Sequence, residues 1–184
     1  MKKIKCFIDK NKEELFLNEM AAEGFALTEI KGFEGGSIPV GLYCFESCEP
    51  AEYVYHIALR YAETDEEVWQ YAGELEESGA EVIQIKDCWI YLRLKKDSEV
   101  IPGKTPPEEE MEFYSDKYDG YISGALLFLV AAGCWVSVYI KKAGPEPMII
   151  AATCVLVGAV SGTAFIAALK CKSKLKDIKK QIGG

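Results

Sequence analysis

The chain has a single histidine, His56, among its 184 residues. One imidazole cannot build a multi-histidine metal centre. Cys44-x-x-x-Cys48 has no second pair at zinc-knuckle spacing, so neither a metal nor another cofactor is expected. The glycine-rich run Gly32-Phe33-Glu34-Gly35-Gly36 lacks the Lys-Ser/Thr ending and the following helix of a phosphate loop. No apolar core follows Met1-Lys2-Lys3, so no secretory leader is expected. The cysteine count is odd, seven, and a cytosolic domain with reduced thiols follows. A basic aromatic stripe is also missing before residue 121, which argues against nucleic acid as a partner.

What is present divides into three environments. Residues 1–120 hold 13 Lys/Arg and 27 Asp/Glu, a net of −14. Between residues 121 and 169 the only charges are Lys141, Lys142 and Glu146, and residues 170–184 carry six Lys against one Asp. Tyr121–Ile140 and Met148–Leu169 are uncharged runs of 20 and 22 residues. At about 1.5 Å per helical residue each crosses the ~30 Å of bilayer hydrocarbon. Core helices of that length carry a polar stripe, and these do not. The Lys141–Pro147 connection is short and turn-rich, so the spans form an antiparallel hairpin. The lysine excess after the second span predicts that both termini are cytoplasmic, with Lys170–Lys180 facing anionic lipid headgroups. Neither span has an ionisable group of the kind that marks an ion path. Gly158 and Gly162 form a GxxxG pattern. It is expected to pack within the hairpin before it pairs with a second copy or another membrane protein.

The first hundred residues repeat. Lys3–Ile8 alternates as a strand, and Asn11–Glu23 reads as a helix with Leu15, Phe16, Leu17 and Met20 inward and Asn11 as N-cap. Gly24 ends that helix, and strands Phe25–Ile30 and Gly41–Phe45 follow. The pattern restarts with strand Glu52–Arg60. A helix capped by Thr64 or Asp65 runs to Ser78 and ends at Gly79. Strands Glu81–Ile85 and Cys88–Leu94 follow a tight turn near Lys86-Asp87. Glu19–Gly24 lies 55 residues before Glu74–Gly79, and Leu27 and Ile30 precede Val82 and Ile85 by the same offset. The class is α+β, a duplicated β-α-β-β of ferredoxin-like or GyrI-like plan. One antiparallel sheet with both helices on one face is expected. The boundaries are 1–97 for the domain, 98–120 for a linker with a short helix, 121–140 and 148–169 for the spans, and 170–184 for the basic tail.

Two resemblances follow. The duplicated plan is similar to bacterial effector-binding domains of the GyrI-like type, which bind small organic molecules between their halves. The segments Glu14–Phe25, Tyr43–Glu46, Glu52–Tyr55 and Trp89–Arg93 resemble the bacterial domain of unknown function numbered 2812, over residues 5–96. The resemblance would place a tryptophan where Ala80 stands. It implies C-terminal membrane helices and frequent neighbourhood with genes for PadR-like repressors, and it implies no catalytic residue.

Chemistry is sparse. A lone histidine is most often structural. Cys44 and His56 could meet as a nucleophile pair only across neighbouring strands. Glu66-Glu67 and Glu76-Glu77 read as solvated helix charge. Alternation puts Ile90, Leu92 and Leu94 on one face of the last strand and Trp89, Tyr91 and Arg93 on the other. Tyr43, Phe45, Tyr53 and Tyr55 join the second set if their strands are in register. A sheet covered on one side leaves these aromatics open for a ligand; the alternative is burial, by the 98–120 segment or by barrel closure. The expectation is a membrane-anchored, non-enzymatic sensor or regulatory module that binds a small amphipathic ligand or peptide on that face. The alternative is an accessory subunit that docks through the GxxxG helix.

Overall fold

The computed structural model describes residues 1–32, 40–62, 64–86, 88–96, 105–143 and 147–182. The elements are β1 (Lys2–Cys6), α1 (Lys10–Ala22), β2 (Phe25–Gly32), β3 (Val40–Ser47), β4 (Tyr53–Leu59), α2 (Asp65–Glu77), β5 (Glu81–Lys86), β6 (Trp89–Lys95), α3 (Pro107–Ala143) and α4 (Pro147–Ile182). The expected turn residue Asp87, the glycine loop 33–39 and the hairpin turn 144–146 lie outside the described residues. Contacts divide the chain into two compact units, one of residues 1–113 and 178–184, the other of residues 114–177.

Local signals place the first unit's elements. The side chain of Asp9, not Asn11, caps α1 by accepting from the Asn11 amide, and Thr64 caps α2 by accepting from Glu67. Gly24 and Gly79 adopt φ of +85° and +99° just past the two helices, the left-handed conformation that glycine takes without strain. On α1, Phe16, Leu17 and Met20 turn inward, whereas Leu15 is 60% exposed, so Leu15 is not part of the inward set.

The repeat holds at the level of hydrogen bonding. Each half builds an antiparallel three-stranded sheet in the same order, β1-β3-β2 and β4-β6-β5. Each carries a register shift at the same place in the repeat, between Leu27 and Glu29 in β2 and between Val82 and Gln84 in β5. These positions are 55 residues apart. The two ladders do not fuse into the single sheet expected. The bulges lie inside each sheet, against β3 and β6, and where β2 meets β5 a side chain stands in place of a ladder. The Gln84 amide oxygen accepts from the Ile30 N–H at 2.8 Å, and its nitrogen donates to the Ile30 carbonyl at 3.0 Å.

The helices are also not on one face. α2 packs Val68, Ala72 and Leu75 against Ala58, Ile90, Leu92 and Leu94 on one side of the second sheet. α1 packs Phe16, Leu17, Met20 and Ala21 against Leu27, Ile30, Tyr43 and Phe45 of its own sheet and against Tyr55, Ile57 and Tyr91 on the other side of the second. The second sheet is thus covered on both faces.

β4 is an edge strand, and an open edge invites pairing with another chain. Side chains close it. Asn18 accepts from the Tyr55 amide at 2.8 Å and donates to the Tyr55 carbonyl at 2.9 Å. Glu14 accepts from Ile57 at 2.8 Å, Thr105 from Leu59 at 3.2 Å and Glu109 from Tyr61 at 3.2 Å. From Tyr55 to Tyr61 every second amide along the edge is taken.

In the second unit, α3 and α4 each contain a stretch long and apolar enough to cross a membrane, and the chain buries almost none of either stretch. Nothing lies within 4 Å of a Cβ added at Gly158 or Gly162, so the GxxxG face borders open space among the described residues. α4 continues as helix through the basic tail, where Cys171 is buried and the Lys174 ammonium lies 6.0 Å from the Tyr114 ring centroid.

Removing the Asn18 amide leaves a donor and an acceptor of β4 unpaired. Asn18→Ala is expected to lower the unfolding free energy of the detergent-solubilised chain by about 1–3 kcal/mol. Gln70→Ala, which breaks the exposed Gln70–Glu74 pair, should stay within about 0.5 kcal/mol. Equal effects in chemical denaturation would refute the edge-closing role.

Candidate functional site

The aromatic residues singled out in the sequence do converge, and the face they share is filled. Tyr43, Phe45, Tyr55 and Tyr91 are 3%, 4%, 1% and 4% exposed. The open aromatic face is corrected to a core, because α1 lies across it. Rings of Phe7, Phe16, Tyr43 and Phe45 meet edge-on or tilted at centroid distances of 5.3–6.0 Å. Trp89 is half-buried and stands edge-on to Phe113 at 4.9 Å, and Phe113 also meets Tyr61 at 5.9 Å. Arg93 lies beside the core, next to Tyr55. It grips Glu81 through two bonds of 2.9 and 2.6 Å and lies over the Tyr53 ring at 4.6 Å. The Glu81 hydrogen bond holds its guanidinium firmly charged.

Within this core lies a carboxylate. Glu13, 8% exposed, projects from α1 on the same stripe as Phe16, Leu17 and Met20. Tyr43 and Tyr91 both donate their hydroxyls to one oxygen, Oε1, the second at 2.9 Å. No hydrogen bond reaches Oε2 from the described residues. Burial pushes the Glu13 carboxyl above its ordinary range, against the two phenol bonds and the charge of Lys86, which favour ionisation. Burial, the Glu13 charge and the shared hydrogen bond push the Tyr43 phenol up, so Tyr43 stays a donor. The site therefore joins the two repeats: Glu13 and Tyr43 come from the first, Tyr91 from the second.

Glu14 faces the other way on α1. Burial raises its carboxyl too, but the His56 and Ile57 hydrogen bonds and the charges of His56 and Lys10 outweigh burial, and Glu14 ends below its ordinary range. His56 Nδ1 lies 3.1 Å from Glu14 Oε2. The nucleophile pairing of Cys44 with His56 fails on topology, since β3 and β4 belong to different sheets.

Residues 105–113 belong to this domain and are not a separate linker. Lys10 donates to Thr105 Oγ1 at 3.2 Å and approaches Glu110 at 3.9 Å, while Arg60 holds Glu109 at 2.7 Å. The short helix expected before the first span is the opening of α3, which continues unbroken to Ala143.

The family described as protein of unknown function (DUF2812) matches residues 9–121. The chain belongs to that family. The DUF2812 match reaches well beyond residue 96, so the docked turns of α3 are part of the family's domain. No curated protein and no solved structure matches the chain.

Sequence reasoning missed Glu13 in this DUF2812 domain. The signal was its place on the apolar stripe, three, four and seven residues before Phe16, Leu17 and Met20.

The shifts give opposite pH dependences. Folding holds the Glu13 proton more tightly than the unfolded chain does, so this group lowers stability as pH rises from the ordinary carboxylate range through its raised folded value. Glu14 contributes stability above the ordinary range, and that contribution disappears as pH falls through its lowered folded value. Glu13→Gln should therefore be more stable than the parent at neutral pH, with the gap closing towards pH 4. Thermal midpoints across that interval decide it, and a constant gap would place the titration elsewhere.

Proposed function

We propose that the chain is a membrane-anchored, non-enzymatic sensor whose ligand is a small amphipathic molecule received at the aromatic junction of the two repeats. The observation that carries this reading is Glu13. Burying an ionisable group on α1 costs free energy unless it is fully paired. One oxygen of Glu13 takes both phenols, and the other has no partner among the described residues. A ligand with a cationic or hydrogen-bond-donating group meets that oxygen from the margin of the core, since α1 already covers the rings of Tyr43, Phe45, Tyr55 and Tyr91. Trp89, beside Phe113, stands at the margin of this core and reports on it, while Tyr53 and Arg93 lie on β4 and β6 of the second sheet. An exposed, base-paired nucleophile of the kind an enzyme needs is not supported by Cys44 or His56. α3 and α4 supply the anchor in the bilayer. The lysine excess favours both termini in the cytoplasm, where Lys170–Lys180 meet anionic headgroups.

A second reading has one observation in its favour. The unoccupied space around Gly158 and Gly162 suits an accessory subunit that docks a membrane-protein partner, or a homodimer, through α4.

The test is a thermal-shift screen of the solubilised full chain against amphipathic amines, neutral amphiphiles and acids, with fluorescence read in a background where Trp89 is the sole tryptophan. A ligand at a hundred times its Kd adds about 2.7 kcal/mol to stability. The expected result is a saturable rise for amines that Glu13→Gln abolishes while remaining folded. Were no class to shift the parent, and Gly158→Leu with Gly162→Leu to break a native assembly, the accessory reading would replace the sensor.

A further inference from the structure

α2 presents a second feature that the aromatic core does not use. Its inward residues are Val68, Ala72 and Leu75. On the opposite face Glu66, Trp69, Gly73 and Glu77 follow one another at helical spacing. Trp69 is 65% exposed and makes no ring contact among the described residues. An uncovered tryptophan is poor use of the side chain that most often anchors interfaces. Gly73 is equally unexplained by the chain's own fold. Its φ is not left-handed, and a Cβ built on it meets nothing within 4 Å. Glycine nevertheless weakens a helix interior more than any residue but proline. The two positions are one turn apart, so Gly73 leaves a notch beside the Trp69 ring.

The charge around this notch has one sign. α2 carries Asp65, Glu66, Glu67, Glu74, Glu76 and Glu77 and no lysine or arginine. No cation pairs with these carboxylates among the described residues. The first three suit the helix N-terminus, but Glu74, Glu76 and Glu77 lie at the negative end of the helix dipole.

We propose that the Glu66–Trp69–Gly73–Glu77 stripe is a docking surface for a helix of a partner protein that carries Lys or Arg. The partner's cations relieve the acidic C-terminal end, and an apolar side chain enters the Gly73 notch against Trp69. Two copies of α2 face to face would oppose like charges, and an anionic lipid surface would be repelled in the same way.

The full chain in neutral-lipid nanodiscs is titrated with a labelled amphipathic helix of Lys, Leu and Ala, and with counterparts that have Glu or Gln in place of Lys; binding is read by anisotropy. The lysine peptide should bind saturably and more weakly as salt rises. Trp69→Ala and Gly73→Leu should each weaken it by about tenfold or more. Trp69 is exposed and a Cβ at Gly73 meets nothing within 4 Å, so melting temperatures should not fall, and Gly73→Ala should raise the midpoint. Absence of binding, equal binding by the variants, or equal binding of the Glu or Gln peptide overturns the proposal. So does quenching of Trp69, without peptide, that tracks copies per disc or the fraction of anionic lipid, because a second copy or the bilayer would then be the occupant.

Discussion

The outer edge of β4 offers its backbone to whatever approaches, and this fold answers with side chains. Asn18 and Glu14 come from α1, and Thr105 and Glu109 from the segment that opens α3. The choice has consequences for the whole domain. To reach the Tyr55 and Ile57 amides, α1 must lie across the second sheet as well as its own. That placement buries Tyr55, Ile57 and Tyr91 and turns Glu13 into a core residue. To reach Leu59 and Tyr61, residues 105–109 must fold back onto the domain. The same device recurs where β2 and β5 approach, with Gln84 taking both backbone groups of Ile30. Primary amides suit this task because one side chain donates and accepts, as a strand residue does.

The sequence showed the parts of this arrangement that depend on local rules. Helix ends at Gly24 and Gly79, strand alternation at Ile90–Leu94, and the 55-residue offset are all written in short windows, and each matches the structure. The offset even covers the bulges, although nothing in the residues marks a bulge as such. What was not legible is how the two halves meet. One sheet or two, and helices on one face or on opposite sides, depend on side chains that bond to backbone more than 30 residues away. Period-two reasoning correctly gathered Tyr43, Phe45, Tyr55 and Tyr91 on shared faces. It could not say what covers them, because α1 is also amphipathic and its partner sheet is not named by its own spacing.

Glu13 and Glu14 show how finely position decides the chemistry of identical side chains. They are adjacent, both partly or wholly withdrawn from water, and both hydrogen-bonded. Glu14 accepts from a backbone amide and pairs with an imidazole, so its ionised form is favoured. Glu13 accepts from two neutral phenols inside a ring of aromatics, and desolvation prevails there. One residue of helical rotation separates an edge-closing carboxylate held below its ordinary range from one that burial holds above it. The first has its structural reason on the page. The second ties Tyr43 and Tyr91 of the two repeats together through one oxygen, which leaves the other oxygen for a ligand.

α3 then sets where the domain ends. Pro107 opens the helix, as proline at a first helical position commonly does. Glu109, Glu110 and Phe113 are held by Arg60, Lys10 and Trp89. The helix then runs without interruption into its apolar stretch. A composition-based boundary at residue 97 marks a change in polarity, whereas the physical boundary falls inside a helix, after Phe113. The family match agrees with the physical boundary more closely, since it extends to residue 121. Lys10 lies one turn before Glu13 on α1, and Trp89 lies two residues before Tyr91 on β6. The elements that hold the opening of α3 are therefore the same ones that carry the buried carboxylate and its phenol. A disturbance at Glu13 cannot move α1 or β6 without acting on the contacts of residues 105–113.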